Sequence, residues 1–461
     1  MDESTAGFVA AFQAFMEEAV NAQRATKAPD ESALIPPLQE HLGTDPRRLA
    51  VVTEEIRTHQ FVDLDIALAE LQDSDPAGRL VGIGGGDQRR HNSLSEILDN
   101  AGRYGQFPLA AVDYGSIATG PESTRQAVSF GLRLFSYEGG PVVVLQRGAE
   151  PRTGNTARME ILAPAEGAAA NLIETVRRLM RQRSVLRGQV LTLGGSNYEP
   201  GVGGITFHRR PALVPEDIIL PAGVLERVQR HVAGVAHHRD RLLASGQHLK
   251  RGMLLHGPPG TGKTHTVRYL LGALPELTVI LLAGPSIEYV SEAAEMARAL
   301  QPALVVLEDC DLVAESRDHF AGAQPLLFTV LEALDGLSDD ADVAFLLTTN
   351  RVEVLEPALA QRPGRVDLAI EVPLPDEEAR RRLITLYARA LPFSAGALQG
   401  AAARSKGTTA SFAKELVRRS VLIAAEADHD TTDADLTQAL DEMLSESQAL
   451  TRSILGSTPE D

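Results

Sequence analysis

Apolar residues recur along this 461-residue chain with rhythms that change from region to region. Up to about residue 75 they fall at helical spacing, as at Phe8, Phe12 and Phe15 and again at Leu64, Ile66, Leu68 and Leu71, which predicts a small helical unit. Between Phe107 and about Gly148 short apolar runs alternate with glycine turns, notably Pro141 to Leu145. Met159 to Leu162, a helix near Ala165 to Arg183, and Gly188 to Leu193 follow, and that order predicts a mixed α+β domain. From Gly252 onward strand-length runs alternate with helical stretches: Met253 to His256, Leu277 to Leu282, Leu304 to Leu307, Ala344 to Leu347 and Leu368 to Val372. Such unbroken runs mark strands buried on both faces, the βαβ pattern of a parallel sheet. After Asp376 only helical patterns remain, at Glu377 to Leu391, Phe412 to Glu426 and Asp433 to Ser445.

These rhythms divide the chain into a helical region at 1–78, an α+β domain at 79–200, an α/β core at 201–375, a helical lid at 376–450 and a flexible tail at 451–461. Asn197 to Gly204, with Pro200 and three glycines, reads as a linker. Gly82 to Gly86 breaks regular structure ahead of Ser93-Leu94-Ser95-Glu96, a capping box that opens a helix. A glycine-rich loop before a helix can cradle phosphate, but no Lys-Ser or Lys-Thr pair follows this one, so it reads as a turn.

Charge narrows the partners. The formal net charge of −18 opposes non-specific binding to a phosphate backbone. Cys310 is the only cysteine, which rules out an intrachain disulfide and a thiolate zinc site and fits a reducing cytoplasm. No apolar run reaches membrane-spanning length, and the first residues lack the pattern of a secretory leader.

The chemistry concentrates in the α/β core. Gly257-Pro258-Pro259-Gly260-Thr261-Gly262-Lys263-Thr264, with His265 after it, satisfies G-x-x-x-x-G-K-[ST] and stands between an expected strand and an expected helix. Backbone N–H groups of such a loop turn inward around a β-phosphate, Lys263 reaches the β- and γ-oxygens, and Thr264 ligates Mg²⁺. The run Leu304 to Leu307 then delivers Glu308 and Asp309 at a strand's carboxy end, where one carboxylate serves the Mg²⁺ shell and the next polarises an attacking water. A further strand ends in Asn350, an amide suited to the γ-phosphate or that water, and Arg362 and Arg365 suit transition-state phosphoryl oxygens of a neighbouring subunit.

Taken in order, RGMLLHGPPGTGKT, LVVLEDCD, LEALDGL, FLLTTNR and PALAQRPGRVD resemble the AAA family of ATPases over about Pro215 to Ala439. The resemblance implies an α/β P-loop core with a parallel sheet and a C-terminal helical lid, ATP and Mg²⁺ as ligands, and a ring, commonly a hexamer. It also implies phosphate and Mg²⁺ roles for Lys263 and Thr264, a sensor role for Asn350 and an arginine-finger pair at Arg362 and Arg365. Glu308 and Asp309 occupy positions where the family usually has Asp then Glu, an order shared with the branch that includes the mitochondrial complex-III assembly ATPase. Tyr289 and Val290 match the aromatic and apolar members of the family's substrate pore loop, while Ser291 departs from its glycine; equally, Tyr289 can pack against its own helix. Thr409 to Leu416 lies where the second-sensor helix would be, without its usual Gly-Ala-Asp.

The leading expectation is therefore an ATP-hydrolysing motor that remodels, unfolds or disassembles protein clients as a homo-oligomeric ring. Two alternatives stay open: a nucleotide-switched scaffold with little turnover, and a nucleic-acid remodeller or loader. No H-E-x-x-H zinc motif is present, so any proteolysis would need another chain.

Overall fold

The computed structural model describes residues 33–149, 156–196, 199–311, 332–333, 336, 338–353 and 366–445. The expected helix around Phe8 to Phe15 and the tail at 451–461 lie outside them. The chain divides into two compact units, one of residues 1–116 and 126–180, the other of residues 117–125 and 181–461.

In the first unit an antiparallel sheet runs in the order β1 (Val52–Ile56), β7 (Ala157–Leu162), β6 (Gly140–Arg147), β5 (Thr124–Tyr137), β2 (Arg79–Ile83), β3 (Leu109–Ala110), with β4 (Asp113–Ala118) also on β5. Residues alternate between its faces. Phe130, Leu132, Leu134, Val143 and Leu145 pack against Leu38 and Leu42 of α1 (Ile35–Leu42) and Leu94, Ile97 and Leu98 of α3 (Leu94–Tyr104). On the other face Arg133 pairs with Asp65 of α2 (Phe61–Asp73) at 2.8 Å, both nearly enclosed. Gln146 accepts from Arg133 Nε at 2.9 Å and donates to Asp65 Oδ1 at 3.2 Å, so the buried charges are hydrogen-bonded as burial requires. The capping box expected at Ser93 and Glu96 is present. α4 (Ala168–Arg183) follows β7, and the unit ends within it at Met180.

The expected border at 78/79 runs through this single core. β1 pairs with β7, and Ile83 packs with Leu38 and Leu42, so the segments on either side of residue 78 bury one another's apolar faces.

The second unit is built on a seven-stranded sheet ordered β14 (Leu368–Glu371), β10 (Arg251–His256), β13 (Val343–Thr349), β12 (Ala303–Glu308), β11 (Thr278–Ala283), β8 (Val190–Ser196), β9 (Glu199–His208). β14 through β8 are parallel, and β9 returns antiparallel on β8. α5 (Val224–His237) and α6 (Lys263–Ala273) cover one face through Val228, Val232, Val267 and Leu270. α7 (Val290–Ala299) covers the other with Val290, Ala293, Ala294 and Ala297. Helices on both faces explain why the central strands read as unbroken apolar runs.

Two expectations fail here for one reason. The sequence pattern places Gly188 to Leu193 in the α+β domain and Asn197 to Gly204 in a linker, whereas β8 extends the parallel sheet beyond β11 and β9 closes it as a hairpin. Glycines at 194, 195, 201, 203 and 204 resemble linker composition, but within a hairpin the ladder rather than the side chains holds the backbone. Arg210 secures this side of the sheet from within: its guanidinium donates to the carbonyls of Gly188 at 3.0 Å, Leu274 at 3.2 Å and Leu277 at 2.5 Å, and to that of Leu271.

Four helices complete the unit as a lid: α8 (Glu377–Tyr387), α9 (Ala395–Arg404), α10 (Ala410–Glu426) and α11 (Asp433–Leu444). They share a core around Leu383, Ile384, Phe412, Leu416, Leu436 and Leu440. Arg380 braces it, donating to the carbonyls of Ala402 and Pro375 at 2.9 Å each.

Candidate nucleotide site

β10 ends at His256 and the chain turns at once through the Gly257 to Gly262 loop into α6, whose first residue is Lys263. Gly257 takes φ 140°, and a Cβ there would stand 2.2 Å from the Val372 carbonyl oxygen, so only glycine lets the loop pass the end of β14 this closely. A helix N-terminus opening from a glycine-rich loop presents backbone donors and a positive dipole end to an anion. Lys263 is buried, with Nζ donating to the carbonyls of Gly257 at 2.7 Å and Pro258 at 2.9 Å, while the Thr261 hydroxyl donates to Pro258 at 2.9 Å. Burial holds the Lys263 ammonium below its usual range, and the facing charges of Asp309 and Asp311 oppose that shift.

A cleft of about 400 Å³ opens over the loop. Pro259, Gly260, Gly262, Lys263, Thr264 and His265 form one wall, and Asp309 and Asn350 reach it from the carboxy ends of β12 and β13. These strands flank one another and β13 flanks β10, so motifs far apart in sequence converge at one edge of a parallel sheet, where ligands of open α/β folds bind. Asp309 takes φ 53°, a left-handed conformation that Asp tolerates better than most residues. Its N–H donates to Thr348 Oγ1 at 3.0 Å, and Asn350 Nδ2 lies 3.4 Å from its Oδ1.

Glu308 does not line the cleft. It is the half-buried last residue of β12, where burial and the charge of Asp309 raise its carboxyl above the usual range and Arg268 pulls it back. A divalent cation would relieve that repulsion, and a carboxylate with the Thr264 hydroxyl is the hard-oxygen set that Mg²⁺ takes. Among the described residues no group of three or more His, Cys, Asp or Glu could hold a metal alone, so Mg²⁺ here would lean on the nucleotide's own oxygens.

Sequence reasoning gave no site role to five residues of this cleft: Arg268, Tyr387, Ala410, Ser411 and Lys414. Arg268 stands one helical turn beyond Thr264 on α6, a spacing that places the two on one face. The other four come from the lid. The N–H of Ser411 donates to the Gly260 carbonyl at 3.2 Å, and a Cβ on Gly260 would approach Ser411 Oγ to 2.9 Å and Thr409 Oγ1 to 3.0 Å, so the start of α10 rests on the loop itself. Burial lowers the pKa of His265, with Arg268 adding to the effect and Asp217 opposing it.

The expected pore-loop pair separates. Val290 is wholly buried because it belongs, with Ala293, Ala294 and Ala297, to the apolar stripe of α7, so it faces its own core and no substrate. Tyr289 is half-buried and packs against the same cluster at the end of the Gly284–Tyr289 turn. Arg362 and Arg365 lie outside the described residues.

Residues 253–374 match the model of the "ATPase family associated with various cellular activities (AAA)". The chain is 32% identical over 211 residues to "26S protease regulatory subunit 6A" of Caenorhabditis elegans, covering 42% of this chain and 48% of that protein. It is 33% identical over 235 residues to "ATP-dependent zinc metalloprotease FtsH 2" of Sphaerobacter thermophilus, covering 48% of this chain and 36% of that protein. Against "Protein CdcH" of Halobacterium salinarum the identity is 30% over 210 residues, 43% of this chain and 27% of that protein. The chain thus spans less than half the length of each of these relatives.

Proposed function

We propose, from the match of residues 253–374 to the AAA family model, that this chain hydrolyses ATP and couples the reaction to the remodelling of protein substrates in an oligomeric ring. The observation that carries the reading is the convergence of Lys263, Asp309 and Asn350 on one cleft roofed by the start of α10. The loop amides and Lys263 would hold the β- and γ-phosphates, and Thr264 and Glu308 would hold Mg²⁺, which when bound neutralises charge on the phosphoryl oxygens. Asp309 would accept a proton from the attacking water while the Asn350 amide orients it. The water oxygen joins the γ-phosphorus as the β–γ bridge breaks, releasing ADP and phosphate.

The action on proteins is supported by the relatives' names, a regulatory subunit of a protease and an ATP-dependent protease. The net charge of −18 argues against nucleic acid. In the ring, commonly a hexamer, Arg362 and Arg365 would complete the site of the neighbouring subunit, and Tyr289 alone of the expected pore pair would reach a threaded polypeptide. We assign this work to a reducing cytoplasm, consistent with Cys310 as the only cysteine.

The test is a pair of variants. Lys263→Ala should abolish ATP binding, and Asp309→Asn should keep binding while phosphate release falls by about a hundredfold or more. Normal turnover in both would remove the site assignment. The scaffold reading draws on the Asp309 carboxylate, one methylene shorter than the family's usual Glu, and it predicts that wild-type protein binds ATP without measurable turnover.

A further inference from the structure

Asp311 has no part in the chemistry above, yet it is among the most enclosed carboxylates of the second unit, at 4% exposure. It sits just past the end of β12 and reaches across to β13. Its Oδ1 accepts from the Thr349 hydroxyl at 2.9 Å and from the Asn350 N–H at 3.1 Å. Thr349 Oγ1 in turn accepts from the Arg351 N–H at 3.0 Å, so the backbone on both sides of the Asn350 peptide is tied to one anchor. On the opposite side of the gap, the Asp309 N–H donates to Thr348 Oγ1 at 3.0 Å. The two strand ends are therefore laced in both directions, and the lacing brackets the approach of the Asn350 amide to Asp309 at 3.4 Å.

We propose that Asp311 is a positioning residue for hydrolysis, setting the backbone at Asn350 and through it the amide that faces Asp309. The inference rests on the reading of Asn350 and Asp309 as the groups that handle the attacking water. A carboxylate oxygen suits this task because it accepts from two donors at once and offers no competing N–H. Misplacing a catalytic amide by a fraction of an ångström lowers the rate of the chemical step more than it weakens substrate binding. Asp311 lines no part of the cleft, so its removal should reach the nucleotide indirectly, chiefly through Asn350 and to a smaller degree through the charge it sets against Lys263.

The experiment is a double-mutant cycle on steady-state ATP hydrolysis by the full chain, with Lys263→Ala as the inactive control. Asp311→Ala should lower kcat by about tenfold or more and leave KM for ATP within about threefold of wild type. Asp311→Asn, whose carbonyl can still accept both donors, should recover most of that loss. In an Asn350→Ala background Asp311→Ala should cost less than about a further twofold. Equal losses in both backgrounds, the signature of a merely structural role, would overturn the proposal, as would an Asn variant as impaired as the Ala one. Should Asp311→Ala not fold, Asp311→Ser, which draws the acceptor back from β13, carries the same cycle. If the wild-type chain releases no phosphate, the hydrolysis reading fails and this inference with it; wild-type turnover with additive losses overturns the inference alone.

Discussion

A methyl group at position 257 would meet the Val372 carbonyl at 2.2 Å, so Gly257→Ala forces either the loop or the end of β14 to move. That variant should lose nucleotide binding in an equilibrium titration and melt earlier than wild type. His59 offers a test at the same scale in the other unit. Burial, with a smaller push from Arg57, drives its imidazole down from 6.5 to about 4. Between those values the unfolded chain binds a proton that the fold refuses. The stability owed to neutral His59 is thus full above the unfolded value and is lost as pH falls toward the folded one. In thermal melts from neutral to acid buffer, His59→Leu should flatten the acid limb relative to wild type. The candidate cleft was legible at this scale because the P-loop motif sets particular residues at particular spacings, and Lys263, Asp309 and Asn350 line one cleft. Val290 was misread because the apolar stripe of a helix and an apolar tip of a loop look alike until α7 is seen to begin at that residue.

At the scale of elements, β10, β11, β12 and β13 could be read in advance because burial on both faces fills them mostly with apolar residues, whereas β14 stands at the sheet's edge with Ala369 and Glu371 exposed. The β8–β9 hairpin escaped because pairing holds it and its glycines mimic a linker. α9, with the sequence AGALQGAAAR, escaped because alanine and glycine give little contrast between its faces. The hairpin has a measurable consequence. A fragment beginning at residue 215, near the start of the motif-bearing stretch, would leave β11 with an open edge, and exposed parallel edges invite association. A fragment of residues 181–461 should remain soluble and bind ATP, whereas 215–461 should aggregate on size-exclusion chromatography. Equal behaviour of the two would show that β8 adds nothing to the sheet's integrity.

For the whole molecule, the sequence located the α/β core and lid but set the inner boundaries wrongly, because composition changes at 78 and 200 do not coincide with changes of core. β1 and β7 lie about a hundred residues apart in the chain and still share a ladder. The ring is tested at this scale. Sedimentation of Asp309→Asn with ATP should show an assembly about six times the 49.4 kDa chain, against a smaller species without nucleotide. The same arrested variant, recovered from cells with its bound proteins, should enrich particular clients over Lys263→Ala. A sediment that stays at one mass in every nucleotide state would remove the interface role of Arg362 and Arg365.

The contact between lid and phosphate loop runs from the Ser411 N–H to the Gly260 carbonyl, main chain to main chain. Alanine at 411 keeps both groups, so that replacement passes over the contact; proline at 411, or an ester in place of that amide, takes the donor away, and a Cβ at Gly260 would push into Ser411 and Thr409. Whatever side chain position 411 carries, proline excepted, the lid keeps this tie to the loop through its main chain.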